Sequence, residues 1–553
     1  MSSTLDRLRK LHGLRPKQTR DEPKIPKDNT SKPPIKDPVY VDFVEPTARP
    51  TVNGSTVNES TLAGYAFDYC ATLEEVVPGQ EITNDSGVCY LVTRAYPLNE
   101  LRGPMPLQNL LDEQPATFAT HYPKFNLSVR TDFRKAAFID TETTGLGVGA
   151  GVYCFMIGIG TFEHLRAQSA RDISQLSPIA NFVDAPTHFV VRQFFMRSPD
   201  EEVALLVAVD DSLRACDMTV TFNGRTFDLP MLRARFRQNR YALPPTHEKC
   251  PLLAETKPHL DLLMPARRLW RRRLGSCRLV NLEEKILGIA RSAADVPGHL
   301  IPMLYTEYAR SGEAGAMPGI FYHNCEDIVS MVGLAERLCY AYTTSPSQAD
   351  QANERHVTNI TTTKTTATEM TTAKITATEI TSSQITSTHL TAQSSESEKA
   401  RKIDDLHGHE WLALGDSHER VGDIAQAEIA FQRSIYLLSF DESGEQKIHR
   451  ADAFRRLGLL QKRQNRWSEA IETWQLWLSS VSGLDPTPYI ELAKYFEWQN
   501  FDLAQAEMWT SWALHNLQSS PIRSVYHRHI PQIKHRLARI QRKKKATSNI
   551  QCN

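Results

Sequence analysis

The run Ala136-Ala137-Phe138-Ile139-Asp140-Thr141-Glu142-Thr143-Thr144-Gly145 limits what this chain can fold into more than any other stretch of it. Four apolar residues in succession read as a strand covered on both faces, which requires neighbouring strands and helices on either side of a sheet. The strand then ends in two carboxylates one residue apart. Residues i and i+2 of a strand point to the same side, so Asp140 and Glu142 face one space and can share a metal ion. A solvated strand end would carry the same Asp-x-Glu pair, so the reading depends on what else the chain supplies.

From Ala136 to about Ala341, strand-like and helix-like segments alternate. Ala136 to Ile139, Val152 to Gly160, His188 to Phe195 and Met218 to Phe222 read as strands, and Glu201 to Ala215 as a helix, a pattern that implies an α/β layer structure. Two further carboxylates stand at informative places in it. Val220 to Pro230 gives a strand, a turn through Asn223-Gly224, and Asp228 opening an apolar helix, where it either caps the helix or joins a site. Tyr322-His323-Asn324-Cys325-Glu326-Asp327 puts His323 and Asp327 one helical turn apart on one face.

Together these motifs resemble the DEDD exonucleases and are similar to the YprB-like branch of the ribonuclease H-like superfamily over roughly residues 62 to 342. The pieces that carry the resemblance are Ile139 to Gly145, Phe222-Asn223-Gly224 with Phe227-Asp228, His259-Leu260-Asp261-Leu262, and His323-Asn324 with Asp327. It implies a ribonuclease H-like sheet flanked by helices, with Asp140, Glu142, Asp228 and Asp327 holding two Mg²⁺ or Mn²⁺ ions. The implied activity is hydrolysis of DNA or RNA from the 3′ end. Two other readings remain at this level: a structure-specific endonuclease, and a non-catalytic nucleic-acid-binding scaffold.

In exonucleases of this class the general base is a histidine five residues before the last acid or a tyrosine four before it. Here the identities are exchanged, with Tyr322 at minus five and His323 at minus four. His323 is the better base, because an offset of four returns to the Asp327 face and an imidazole titrates near neutral pH. Tyr322 is the reserve, and Asn324 either orients a phosphate or caps the helix.

Lys plus Arg and Asp plus Glu each number 64, so no net field draws the chain to a polyanion and any attraction is local. Asn223 and the basic run Arg267, Arg268, Arg271, Arg272 and Arg273, continued by Arg278, are the candidate nucleic-acid contacts. A solvated helix face is the alternative for the arginines, and Asp261 reads as the cap of their helix. His247, Cys250 and His259 match no common zinc-finger spacing.

Outside residues 62–342 the chain changes character. Residues 1–61 read as a short helix bearing Leu5, Leu8 and Leu11, followed by a Pro- and Lys-rich linker. Residues 343–402 hold Thr-rich pentads, too few for a β-helix and poor in side chains to bury. Residues 403–545 read as tetratricopeptide-like helical repeats: Trp411, Gly415, Ala427 and Phe431 are followed by Gly458, Ala470, Trp474 and Trp477. Gly415 to Gly458 is 43 residues, with the excess placed in a loop from Phe440 to His449. Such repeats either bind a protein partner or form a compact appendage.

The nine cysteines form no Cys-x-x-Cys pair, and no long apolar run occurs, so a cytoplasmic protein without a membrane span is expected. Deleting Thr361 to Gln393 is predicted to leave turnover of short substrates nearly unchanged, as a tether should. A cooperative loss of stability in that deletion, read by thermal melting, would instead reveal a folded segment.

Overall fold

The computed structural model describes residues 71–103, 105–145, 151–166, 176–182, 185–344, 406–440, 443–520 and 525–551. The expected helix near the first residues, the linker after it and the Thr-rich pentads lie outside the described residues.

Seven strands form one mixed sheet: β1 (Gln80–Asn84), β2 (Gly87–Pro97), β3 (Ala136–Thr143), β4 (Cys154–Glu163), β5 (His188–Phe195), β6 (Met218–Thr221) and β7 (His259–Asp261). Their order is β1-β2-β5-β4-β3-β6-β7. The β3–β6 and β6–β7 pairs are parallel and the others antiparallel. The apolar run Ala136 to Ile139 is at most 1% exposed, as a strand paired on both edges and covered on both faces must be.

The strand bounds differ from the expected ones. β3 does not stop at Ile139 but runs on through both carboxylates, because pairing with β4 continues through Asp140↔Gly158 and Glu142↔Met156 before the register shifts at Thr143. β4 starts at Cys154 rather than Val152, and Phe222 has already left β6 for a turn in which Asn223 adopts a left-handed φ of 69°. Strands β1 and β2, which precede Ala136, extend the main sheet. β2 pairs with β5 from Tyr90 to Pro97, and consecutive residues Cys89 to Val92 are buried, so both faces of β2 are covered.

Five helices of eleven residues or more belong to this layer: α1 (Glu202–Leu213), α2 (Asp228–Gln238), α3 (Leu263–Leu274), α4 (Ile301–Ser311) and α5 (Met317–Thr343). Helix α5 lies across the sheet, with Ile328 and Val329 in the same core as Phe138, Phe162 and Phe189. Its approach depends on glycines in β4. A Cβ on Gly158 would fall 2.3 Å from Asn324 Oδ1, and one on Gly160 would fall 2.7 Å from Ile328 Cγ2.

The second helical region contains α6 (Gly408–Val421), α7 (Ile424–Leu437), α8 (Gly444–Arg463), α9 (Trp467–Ser480), α10 (Thr487–Trp498), α11 (Leu503–Ser519) and α12 (Ile530–Gln551). The extra residues before Gly458 lengthen α8 to 20 residues as well as the connection. Gly415 and Gly458 are the holes that aromatic rings fill, since a Cβ there would meet Phe431 Cε1 at 2.4 Å and Trp474 Nε1 at 2.3 Å. Trp411 and Leu414 of α6 share the core that holds Phe138, so the first repeat is packed into the α/β layer.

Gly415→Val and Gly458→Val are predicted to lower unfolding free energy by about 1–3 kcal/mol each in urea titrations, the usual cost of overpacking. Gly483→Ala, with open space where its Cβ would stand, should change it by less than about 0.5 kcal/mol.

Candidate active site

Asp140 and Glu142 project from the same face of β3, and α5 brings Asp327 and His323 over that face. Asp228 comes from the other side, at the first residue of α2, where its Oδ1 accepts a 2.5 Å hydrogen bond from Thr141 of β3. Three separate stretches of chain therefore converge on one carboxylate cluster, and the cluster is electrostatically loaded. Burial, then Asp327, Glu142 and Asp228, push the Asp140 carboxyl well above the usual carboxylate range. Burial raises Glu142 to about 8, with Asp327 and Asp228 adding to it while His323 and Arg291 oppose it. Asp228 is raised by burial to about 7, against the hydrogen bond from Thr141.

Protein donors hold three of these acids. Asn324, fully buried, donates its Nδ2 to Asp140 Oδ2 at 2.8 Å, and its own Oδ1 accepts from Gln193 Nε2 at 2.9 Å. Asn324 thus clamps Asp140, a role different from the phosphate contact or helix cap expected of it. Asp327 pairs with Arg291, whose guanidinium also reaches Glu283 at 2.6 Å. Among the described residues no group of three or more His, Cys, Asp or Glu side chains stands in a metal-holding arrangement. The chemistry of the donor set nonetheless fits hard divalent cations: buried oxygen ligands that suppress one another's ionisation need an added positive charge.

His323 Nδ1 donates to Asp295 Oδ1 at 2.8 Å, which leaves Nε2 facing Asp327 Oδ2 at 3.9 Å. Burial opposes the imidazolium, but the Asp295 hydrogen bond and the charges of Asp327 and Glu142 raise His323 to about 9, above the neutral range expected from the residue type. The hydroxyl of Tyr322 is turned away, accepting from Ser292 N at 3.1 Å. Asp295, Arg291, Gln193 and Gly158 escaped the sequence reading. They lie far from the acids in sequence, and none sits in a motif that marks it.

The RNase_H superfamily model matches residues 137–339, the segment that contains the whole cluster. That stretch is a ribonuclease H-like domain. Over 199 residues the chain is 35% identical to the uncharacterized protein YprB of Bacillus subtilis (strain 168), which covers 36% of this chain and 40% of that protein. The match spans about two fifths of that relative's length.

In the ribonuclease H-like domain the basic run is divided. Arg272 reaches Asp416 of α6 at 2.6 Å, Arg273 reaches the buried Glu410 at 2.9 Å, and Arg268 lies over the Tyr122 ring at 4.5 Å. These three serve the packing of α3 against its surroundings, while Arg267, Arg271 and Arg278 are exposed. Glu410 explains Arg273, because a buried carboxylate requires a partner. Asn223 is exposed, and its side chain accepts from Thr226 Oγ1 at 2.8 Å. Asp261 accepts from Asn223 N, Arg225 N and Leu263 N, so it ties the turn before α2 to the start of α3.

In metal-free protein the His323 ring should titrate near 9 by NMR, and Asp295→Asn should lower that value by about one unit or more. Because the folded value is raised, the stabilisation from charged His323 is complete below its unfolded value and lost as pH rises through about 9. An unshifted titration in Asp295→Asn would contradict the pairing.

Proposed function

We propose that the chain is a metal-dependent 3′–5′ exonuclease acting on DNA or RNA. The observation that carries this reading is the convergence of Asp140, Glu142, Asp228 and Asp327, from three chain segments, into one cluster in which Asp327 and Asp228 both push the carboxyls of Asp140 and Glu142 upward. These four residues would hold two Mg²⁺ or Mn²⁺ ions. Two such ions supply electrostatic stabilisation of the attacking and leaving oxygens of a phosphodiester.

The chain's own residues have distinct parts. Asn324 fixes the Asp140 carboxylate, and Thr141 fixes that of Asp228. Asp295 sets the His323 tautomer, so that Nε2 is the nitrogen available to take a proton from the attacking water. His323 can act as a base where the charges of Asp327 and Glu142, which now hold its proton on, are offset. Arg291 gives the cluster a fixed cation, and Arg267 and Arg271 of α3 offer exposed guanidiniums to a phosphate backbone.

The test is incubation with end-labelled single- and double-stranded DNA and RNA, with and without Mn²⁺. Asp140→Ala or Asp228→Ala should lower turnover by roughly a thousandfold, at about 1.4 kcal/mol per factor of ten. His323→Ala should lower kcat by roughly 10² to 10⁴ and Tyr322→Phe should cost little, the reverse result transferring the base to Tyr322. Mononucleotides released from the 3′ end support the exonuclease, internal fragments an endonuclease, and binding without hydrolysis a scaffold.

A second measurement does not depend on turnover. Raised carboxylates favour the protonated fold, so metal-free protein should lose stability as pH rises from the usual carboxylate range through about 7 for Asp228 and about 8 for Glu142. Mn²⁺ should restore it at the upper end of that window. A melting temperature unaffected by Mn²⁺ at pH 8 would count against metal binding by these acids.

A further inference from the structure

A small polar hollow of about 190 Å³ lies beside β6, β7 and α2, lined by Thr219, Arg225, Arg233, Lys257, His259 and Glu255 among others. None of the four clustered acids lines it. Phe138 pairs with Val220 in register, so Val220 shares the face of β3 that carries Asp140, and its neighbour Thr219 points to the opposite face, the side from which Asp228 reaches Thr141. His259 pairs with Thr219 across the β6–β7 ladder and opens onto the same hollow.

The charges around it do not cancel. Arg233 donates to Leu253 O at 2.9 Å and lies 3.7 Å from Glu255, whose side chain is 84% exposed and therefore well screened. Arg225 bonds Asp261 through its backbone N–H, and its guanidinium lies 6.0 Å from the Phe125 ring centroid, with no acceptor for it among the described residues. Lys257 is exposed and has no ion pair among the described residues. His259 adds no negative charge to offset these cations. Its ring bonds Thr221 Oγ1 at 2.8 Å and is kept neutral by burial and by Arg225 and Arg233. Thr219 is 1% exposed, and its Oγ1 has no hydrogen-bond partner among the described residues, although buried hydroxyls are nearly always satisfied.

We propose that this hollow is a phosphate subsite. Three cations and an unsatisfied hydroxyl around it call for an anion that accepts several hydrogen bonds, and guanidinium forks match phosphate oxygens. The volume is below the roughly 300–1,000 Å³ of pockets that enclose a whole organic ligand, so it suits one tetrahedral group. That group comes either from a polynucleotide backbone or from a free phosphate or phosphate monoester. Occupancy would bear on the turn that Asp261 grips at Asn223 and Arg225, which leads directly into Asp228.

The experiment is calorimetric titration of the full chain with inorganic phosphate in EDTA, against chloride at equal ionic strength. It needs no catalysis, so it succeeds or fails independently of the nuclease reading. Wild-type protein should bind phosphate in preference to chloride, Arg225→Gln and Lys257→Gln should each weaken binding severalfold, and the pair should weaken it at least tenfold. Both side chains lack structural acceptors, and circular dichroism checks that the variants are folded. Arg310→Gln, on an exposed helix face, should leave binding unchanged. Repeating the titration of Asp140→Ala protein in the presence of a short oligonucleotide separates the sources. Competition assigns the subsite to a phosphodiester, and continued binding without competition assigns it to free phosphate. Equal affinity in the Arg225/Lys257 double variant, or no preference over chloride, overturns the proposal.

Discussion

The close seating of α5 on β4 is the constraint on which the rest of the ribonuclease H-like domain depends. Gly158 and Gly160 have no Cβ, so Asn324 and Ile328 occupy the space one would take. Asn324 is then fully buried in reach of Gln193 on one side and Asp140 on the other. A helix any farther from the sheet would leave that amide without partners, at a cost of about 1–3 kcal/mol, and would carry His323 and Asp327 away from Glu142. Packing and site assembly are consequently one event.

The same seating creates an electrostatic conflict that the fold resolves only in part. Burial disfavours ionisation and shifts Asp140, Glu142 and Asp228 upward, and neighbouring carboxylates add to each shift. A distant loop provides Arg291 for Asp327 and Glu283, and Asp295 to hold His323 of α5. Breaking one member of such a network exposes the others, so the loop from Arg291 to Asp295 belongs to the site as fully as the acids do.

Helix α3 connects this domain to the second helical region by the opposite use of charge. Arg272 and Arg273 meet Asp416 and Glu410 of α6, and Trp411 enters the core that contains Phe138. The repeats beyond it stack by a simpler rule, glycine against aromatic ring, at Gly415 with Phe431 and Gly458 with Trp474. The spacing of these glycines and aromatic residues in the sequence is this steric complementarity written along the chain.

The sequence by itself determined the α/β layer, the position of the carboxylates on β3, α2 and α5, and the helical character of the C-terminal region, because each rests on local periodicity and on residues close together in the chain. The strand from His188 to Phe195 and the helix near Glu202–Leu213 were legible for the same reason. Only the tertiary structure decided which groups meet the acids. Asp295 reaches His323 across 28 residues and Asn324 reaches Asp140 across 184, separations over which spacing carries no information. The arginines of α3 show the same limit from the other direction. Their sequence gives a basic run and says nothing of the two buried or half-buried acids on α6 that take Arg272 and Arg273, since burial and pairing exist only once distant segments have packed.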